Sequence, residues 1–390
     1  MCRFRYFAVL FASCVLLLLS TCVSNGSNRR IDASLAQKID AFFADYDRPG
    51  VPGASVIIIR SGKILYEKAY GMANIEPGIP TSTRTNYRIA SMTKQFTAMA
   101  IMILADRHKL SIDDSVTKFL PDFPPYAKSI TLRHLLNHTS GLPDYFDLIP
   151  PEMKTPLTDH DVLDIMKRQD HTDFPPGSKF SYCNTGYVLL ALIVEEASGS
   201  SFPAFLKKNI FDPLGMSHTR FYAREDFSDR HRAYGYSRTE KGFERTDQSQ
   251  TSSILGDGSL YSSVADLYKW DQALYTTRLV SEDLLKQALT AGVGDERAGY
   301  GFGWFIGNYR GLSNNWHGGN TIGFTSSIYR FPSQRFTVIA LSNRNNDLLP
   351  VPVHKIIDLF LFDSTAPPNK SLNRSGGSVS RIKRSGEGAR

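Results

Sequence analysis

The sequence predicts an α+β fold, a mixed α/β domain whose single sheet is assembled from two distant stretches of chain with a helical segment between them. Three observations carry this. Strand-like runs open the body in "GASVIIIRSGKILYEKAYG" (residues 53–71). They return near its end, over residues 300–343. The stretch between, about 91–290, is mostly helical in pattern and broken by Pro-rich loops such as "PDFPPY" and "FPPGSK". A chain of 390 residues is ample for a large core, and neither a repeat nor a linker divides residues 33–363.

The first 24 residues stand apart from that body. Two arginines, Arg3 and Arg5, precede an apolar run from Phe7 to Leu19, followed by small polar residues. This is the layout of a secretory signal, with too short an apolar part for a comfortable membrane span. Cleavage after Ser24 is one reading. Leu19-Ser20-Thr21-Cys22 as a lipid-attachment box, with Cys22 the lipidated residue, is a second, and an uncleaved anchor is a third. All three place the body outside the cytoplasm, in the periplasm or secreted. A membrane is therefore a partner only through the N-terminus.

Three of the four cysteines lie in this signal, which leaves Cys183 alone in the body. An exported chain with one internal cysteine has no disulfide framework, so its core carries its stability. The net charge of +7 is also peripheral. Arg3, Arg5 and the six basic residues of the tail 366–390, set against Glu387, account for all of it. The Ser- and Gly-rich tail reads as a disordered end suited to an anionic surface, and the neutral body has no nucleic-acid footprint. No Cys/His cluster suggests zinc, and nothing in the motifs calls for a cofactor.

Within the body, "ASLAQKIDAFFADYD" (33–47) places Leu35, Ile39 and Phe42/Phe43 on one face of a helix. The runs within 53–71 meet at Ser61-Gly62, a hairpin signal. Late strands follow in "YGFGWFIG" (300–307), "NWHGGNTIGFTSSIYRFP" (315–332) and "RFTVIALSN" (335–343), then a last helix, "PVHKIIDLFLF" (352–362).

The chemistry centres on "YRIASMTKQFTAMAIMILADRHKL" (87–110), where Ser91 and Lys94 stand three apart at the head of an apolar run. Residues i and i+3 share a helix face, so a lysine there can reach a serine hydroxyl. A serine becomes a useful nucleophile only when a base takes its proton. Lysine serves as that base where burial or positive potential brings its pKa toward the working pH. The apolar run to Leu104 marks a buried helix, and the helix dipole adds positive potential at its start. The plain alternative is a capping serine beside a solvated lysine. A second S-x-x-K, Ser115 to Lys118, shows that alternative: "FLPDFPP" follows it, too short and Pro-broken for a buried helix.

Two further features join Ser91. Tyr182-Cys183-Asn184 lies on a loop before an apolar helix. A tyrosine hydroxyl can relay a proton, and an asparagine amide can bind a substrate carbonyl; a packed tyrosine beside a capping asparagine is the plain reading. His317-Gly318-Gly319 lies in a late strand, where glycines weaken the strand unless something approaches the backbone closely. A bound acyl group is one such visitor, and a bulge or bend is the plain reading. The backbone N–H of Asn320, with that of Ser91, would then form an oxyanion hole.

S-x-x-K, then Y-x-N, then a basic residue followed by x-G in a late strand resembles the serine β-lactamase and penicillin-binding-protein superfamily. The likeness is to the branch of class C β-lactamases, D-alanyl-D-alanine carboxypeptidases and esterases. It runs through "YRIASMTK", "ITLRHLLNHTSGLPDY", "FPPGSKFSYCNTGY", "GDGSLYSSVADLYKW" and "HGGNTIGF", over about residues 33–363. The resemblance implies a β-lactamase/transpeptidase-like fold: an antiparallel sheet flanked by helices, an all-helical region, and a site in the cleft between. It implies an acyl-enzyme on Ser91, with Lys94 and Tyr182 as acid and base. Asn184, His317, Gly319 and Asn320 would bind the substrate, and Asp257 and Ser259 would shape the wall. The implied substrates are small molecules or peptides with an amide or ester bond: D-amino-acid peptides, β-lactams, esters or peptidoglycan itself. D-aminopeptidase activity also belongs to that range. His317 departs from the lysine of many relatives, being only partly charged near neutrality. That weakens the reading as an efficient β-lactamase, as does the lack of an obvious glutamate to activate a deacylating water. A non-turnover penicillin-binding or peptidoglycan-sensing module is the alternative on the same scaffold.

Two other hydrolase types fit less well. His134 and His138 stand at i and i+4 as in zinc peptidases, but leucine fills the place of the glutamate base. No G-x-S-x-G elbow is present for an α/β-hydrolase.

Overall fold

The computed structural model describes residues 31–150, 152–222, 229–293, 299–345 and 349–363. The expected export signal with Cys22 and the basic tail 366–390 lie outside the described residues. Helix α1 (Ala33–Phe42) leads into the hairpin β1 (Ala54–Arg60) and β2 (Lys63–Tyr70). After the middle region come β3 (Gly299–Tyr300), β4 (Phe305–Tyr309), β5 (Leu312–Thr321), β6 (Phe324–Phe331) and β7 (Phe336–Ser342). They form one seven-stranded sheet in the order β2-β1-β7-β6-β5-β4-β3, with every neighbouring pair antiparallel. The pairing of β1 with β7, from Ala54↔Ser342 to Arg60↔Phe336, is the seam that joins the two ends of the body.

Side-chain alternation sends successive isoleucines of β1 to opposite layers. Val56 and Ile58 pack with Ile39, Phe43, Val353 and Ile357, beneath α1 and the last helix (Pro350–Leu361). Ile57 and Ile59 face the helical region with Met99, Ile103 and Trp270. Both faces are thus covered, and each fully buried isoleucine contributes roughly 1.5–3 kcal/mol of apolar burial.

Two sequence expectations change in detail. The middle region contains strands as well as helices. Tyr236–Thr239 pairs with Gly242–Arg245, and Tyr87–Arg88 pairs with the distant Tyr261–Ser262. Strands of only two to four residues are too short to leave a periodic signal. The run 300–307 is two strands rather than one. Gly303 turns the chain between them at φ +79° and presses on the start of the next helix described, where a Cβ would lie 2.9 Å from the Lys94 carbonyl oxygen.

Candidate active site

Helix α2 (Lys94–Asp106) is buried from Lys94 to Leu104, as its unbroken apolar run requires. It is entered through a 3-10 turn, Ala90–Thr93, which carries Ser91. In a 3-10 turn positions i and i+3 eclipse, so Lys94 falls directly over Ser91. Ala90 holds a left-handed conformation at φ +47°, unusual for a residue with a Cβ, and this bend sets Ser91 at the cavity wall.

The Lys94 side chain is fully buried and makes three contacts. Its Nζ lies 3.1 Å from Ser91 Oγ, 2.8 Å from Asn184 Oδ1 and 3.0 Å from the Asp257 carbonyl oxygen. Asn184 opens helix α3 (Asn184–Ser198). Its amide orientation is fixed from behind, because Asn184 Nδ2 and the Asn184 backbone N–H both donate to Asp144 Oδ2, at 2.9 and 2.8 Å. Asn184 Oδ1 and the Asp257 carbonyl can only accept, so they take two N–H bonds from the amine. Its third contact is with the Ser91 hydroxyl.

Tyr182 lines the same cavity of about 220 Å³ as Ser91, Asn184 and Asn320. Its ring is 5.0 Å from Lys94 Nζ and packs on His138, 4.2 Å between centroids. Asp257 and Ser259 belong to the wall, as the family likeness implies. Arg88, Tyr145 and Thr321 also belong to it, and nothing in the local sequence marks them.

His317 and Gly319 stand apart from the other expected substrate-binding residues, although the His317 ring lies 6.3 Å from that of Tyr182 between centroids. Neither is on the cavity wall. The His317 ring is 1% exposed, its Nε2 is 2.9 Å from the Tyr300 hydroxyl and its Nδ1 2.6 Å from the Gly318 carbonyl. A carbonyl only accepts, so Nδ1–H donates to it, and Nε2 then accepts from Tyr300. Burial, reinforced by the Lys94 charge, pushes the imidazole pKa down to about 3, which makes His317 neutral. The partly charged ring expected from the free value is absent. The close visitor at Gly319 is the protein itself. A Cβ there would come within 3.0 Å of the Ile89 carbonyl and the Ser326 hydroxyl, and 2.9 Å from Ala90 Cβ. Gly319 therefore seats the nucleophile turn against β5.

Ser115 is a turn residue. It accepts from Thr117 N–H and donates to the Lys128 carbonyl at 3.0 Å, while Lys118 pairs with Asp114 at 2.8 Å. The two histidines of "HLLNH" also have local partners: His134 Nδ1 accepts from Thr131 N–H at 3.2 Å, and His138 Nδ1 from Cys183 N–H at 3.1 Å.

An antiparallel sheet between helical layers, with a buried S-x-x-K lysine bonded to a tyrosine–asparagine loop, defines a β-lactamase/transpeptidase-like protein. The chain belongs to the Beta-lactamase family, whose model matches residues 35–358. It is 35% identical over 311 residues to Penicillin-binding protein 4* of Bacillus subtilis, covering 75% of this chain and 68% of that one. It is 29% identical over 340 residues to Protein flp of Staphylococcus aureus, covering 84% and 65%. The chain thus spans about two thirds of the length of these curated relatives. Among solved structures, an octameric penicillin-binding protein homologue from Pyrococcus abyssi superposes with TM-score 0.73 at 31% identity, covering 84% of this chain and 76% of that chain. The D-amino acid amidase of Ochrobactrum anthropi SV3, solved with L-phenylalanine amide, gives TM-score 0.73 at 25% identity, with coverages of 84% and 98%.

Proposed function

We propose that this chain is an exported serine hydrolase that cleaves amide or ester bonds through a covalent acyl-enzyme on Ser91. The observation that carries the reading is the buried Lys94 amine 3.1 Å from Ser91 Oγ, with its other two contacts made to groups that only accept. Lys94 takes the Ser91 proton as Oγ attacks the substrate carbonyl carbon. Backbone N–H groups of Ser91 and Asn320 receive the developing oxyanion. Tyr182, on the same wall, passes a proton to the departing nitrogen or oxygen and takes one back from solvent, and water then releases the acyl group. The remaining N–H of the Asn184 amide is available to a substrate carbonyl.

The neutral, buried His317 offers no cation for a substrate carboxylate at its end of β5. That favours amides, esters and D-amino-acid derivatives over substrates gripped by a terminal carboxylate there. The amidase neighbour fits the same preference.

The test is to incubate the purified protein with a chromogenic cephalosporin, p-nitrophenyl acetate, D-phenylalanine amide and a D-alanyl-D-alanine peptide, following product and adduct mass together. Turnover of at least one, with a transient adduct on Ser91, is expected. A permanent adduct without turnover would make the protein a penicillin-binding sensor. Turnover that survives Ser91→Ala would remove the reading altogether.

A further inference from the structure

A water must be activated to release the acyl group, and no glutamate is apparent for that task. The cavity wall supplies one carboxyl, that of Asp257. It lies in the short helical turn Leu255–Gly258, whose carbonyls hold the catalytic helix: Gly256 accepts from Thr97 Oγ1 at 2.7 Å, and Asp257 from Lys94 Nζ at 3.0 Å. Since Lys94 Nζ is also 3.1 Å from Ser91 Oγ, a single atom bridges the nucleophile and the Asp257 main chain. Asp257 and Ser91 also line one cavity of about 220 Å³, the space that an acyl group on Ser91 and an attacking water would share.

The two carboxyl oxygens have different surroundings. Oδ2 accepts from the Tyr145 hydroxyl at 2.9 Å. Among the described residues no other side chain or backbone group bonds Oδ1, and the carboxyl's remaining hydrogen bond is from its own backbone N–H. Other buried aspartates of the fold are fully committed. Asp247 pairs with Arg232 at 2.7 Å, and Asp271 with Arg330 at 2.6 Å. Lys94, whose charge acts on this carboxyl, bonds the Asp257 carbonyl and not its carboxylate.

We propose that Asp257 is the general base of deacylation, its Oδ1 taking a proton from the water that attacks the Ser91 ester. The proposal rests on the acyl-enzyme reading above. The water oxygen bonds to the acyl carbon, and one water proton passes to Asp257. The bond from that carbon to Ser91 Oγ then breaks, and the Lys94 ammonium returns a proton to the serine. The acyl group leaves as a carboxylic acid, Lys94 is thereby the neutral amine again, and Asp257 recovers its charge by passing its proton to solvent. Burial raises the Asp257 carboxyl to about 6, against the opposing pull of the Lys94 charge and the Tyr145 hydrogen bond. Asp144 pushes in the same direction as burial, and Asp159, itself raised to about 7, is the other acid coupled to it. A carboxylate with that affinity accepts a proton more readily than an ordinary one while remaining ionised at neutral pH.

The experiment separates the two chemical halves. Wild type, Asp257→Asn and Asp257→Glu are mixed with p-nitrophenyl acetate. The p-nitrophenolate burst reports acylation, and the decay of the acetyl mass on Ser91 reports deacylation. Asparagine still accepts from Tyr145, and the main-chain carbonyl that holds Lys94 is unchanged. Asp257→Asn is expected to keep its burst rate within about 3-fold while deacylation slows by ~100-fold or more, so that the adduct accumulates. Asp257→Glu should recover part of the rate. Wild-type deacylation should rise with pH through about 6, the direction expected for a base that must be ionised, and Asp257→Asn should lose that rise. Deacylation unchanged in Asp257→Asn overturns the proposal, and so does acylation that falls in step with it, the mark of a merely structural aspartate. A wild-type protein giving neither burst nor adduct instead defeats the acyl-enzyme reading, and this proposal with it.

Discussion

Replacing Gly319 with alanine tests how the nucleophile is seated. Its added Cβ would come within 3.0 Å of the Ile89 carbonyl and Ser326 Oγ, and lie 2.9 Å from Ala90 Cβ. Two of those atoms are backbone or backbone-proximal in the turn that carries Ser91. The third belongs to a hydroxyl already bonded to the Ile89 carbonyl at 2.7 Å. None is the end of a flexible side chain, so relief requires the turn to retreat from β5 by on the order of 0.5–1 Å. Overpacking of this kind costs about 1–3 kcal/mol, partly offset by the 0.5–1 kcal/mol that alanine gains over glycine in a strand. For a domain of this size that lowers Tm by only about 1–4 °C. Activity should fall much further, since a displacement of about 1 Å at a reacting atom costs roughly 100-fold. Gly318→Ala is the control, because a Cβ there meets only the Ser326 carbonyl oxygen at 3.7 Å. It should stay within about 0.5 kcal/mol and near wild-type turnover. Differential scanning fluorimetry and burst kinetics with p-nitrophenyl acetate read both quantities. If the two variants behave alike, Gly319 does not set the position of Ser91.

Lys94→Ala and Tyr182→Phe should each slow acylation by ~100-fold or more, measured as the burst rate, by removing general acid–base catalysis. Asp144→Ala strips the acceptor from both Asn184 donors; it should cost about 1–3 kcal/mol in chemical denaturation and lower kcat/KM by ~10-fold. His317 binds its proton more weakly folded, at about 3, than the ordinary 6.5 of an unfolded chain. Its neutral form therefore supports the fold fully above 6.5, and the support is lost as pH falls from 6.5 toward 3, by up to ~5 kcal/mol. Stability curves of wild type and His317→Gln should accordingly diverge with pH in that window, wild type falling faster on acidification; parallel curves would show that the ring is not held neutral.

Much of this architecture was legible in local pattern. The hairpin at Ser61-Gly62 and the helix behind Lys94 follow from period-2 and all-apolar runs, and both stand in the structure. The contrast between Ser91 and Ser115 was legible too, because a buried helix follows only the first. What escaped depends on partners far along the chain. Asp144 bonds Asn184 from 40 residues away, and the Asp257 carbonyl meets Lys94 across 163. No spacing rule encodes such contacts. The burial of His317 escaped for a related reason: a free-histidine pKa describes a solvated ring, whereas Tyr300 and the Gly318 carbonyl hold this one in the interior. Glycines at 318 and 319 look alike in sequence. Only the fold shows that one faces an open space and the other the Ile89–Ala90 backbone.

The central claim is that Ser91 is the acylated atom and Lys94 its base. Intact-protein mass spectrometry after brief reaction with p-nitrophenyl acetate or a cephalosporin, followed by peptide mapping, tests it most directly. One acyl group per chain is expected, located on the peptide bearing Ser91, absent in Ser91→Ala and strongly slowed in Lys94→Ala. An acyl group on Ser115, or one that forms at the same rate without the Lys94 amine, would contradict it.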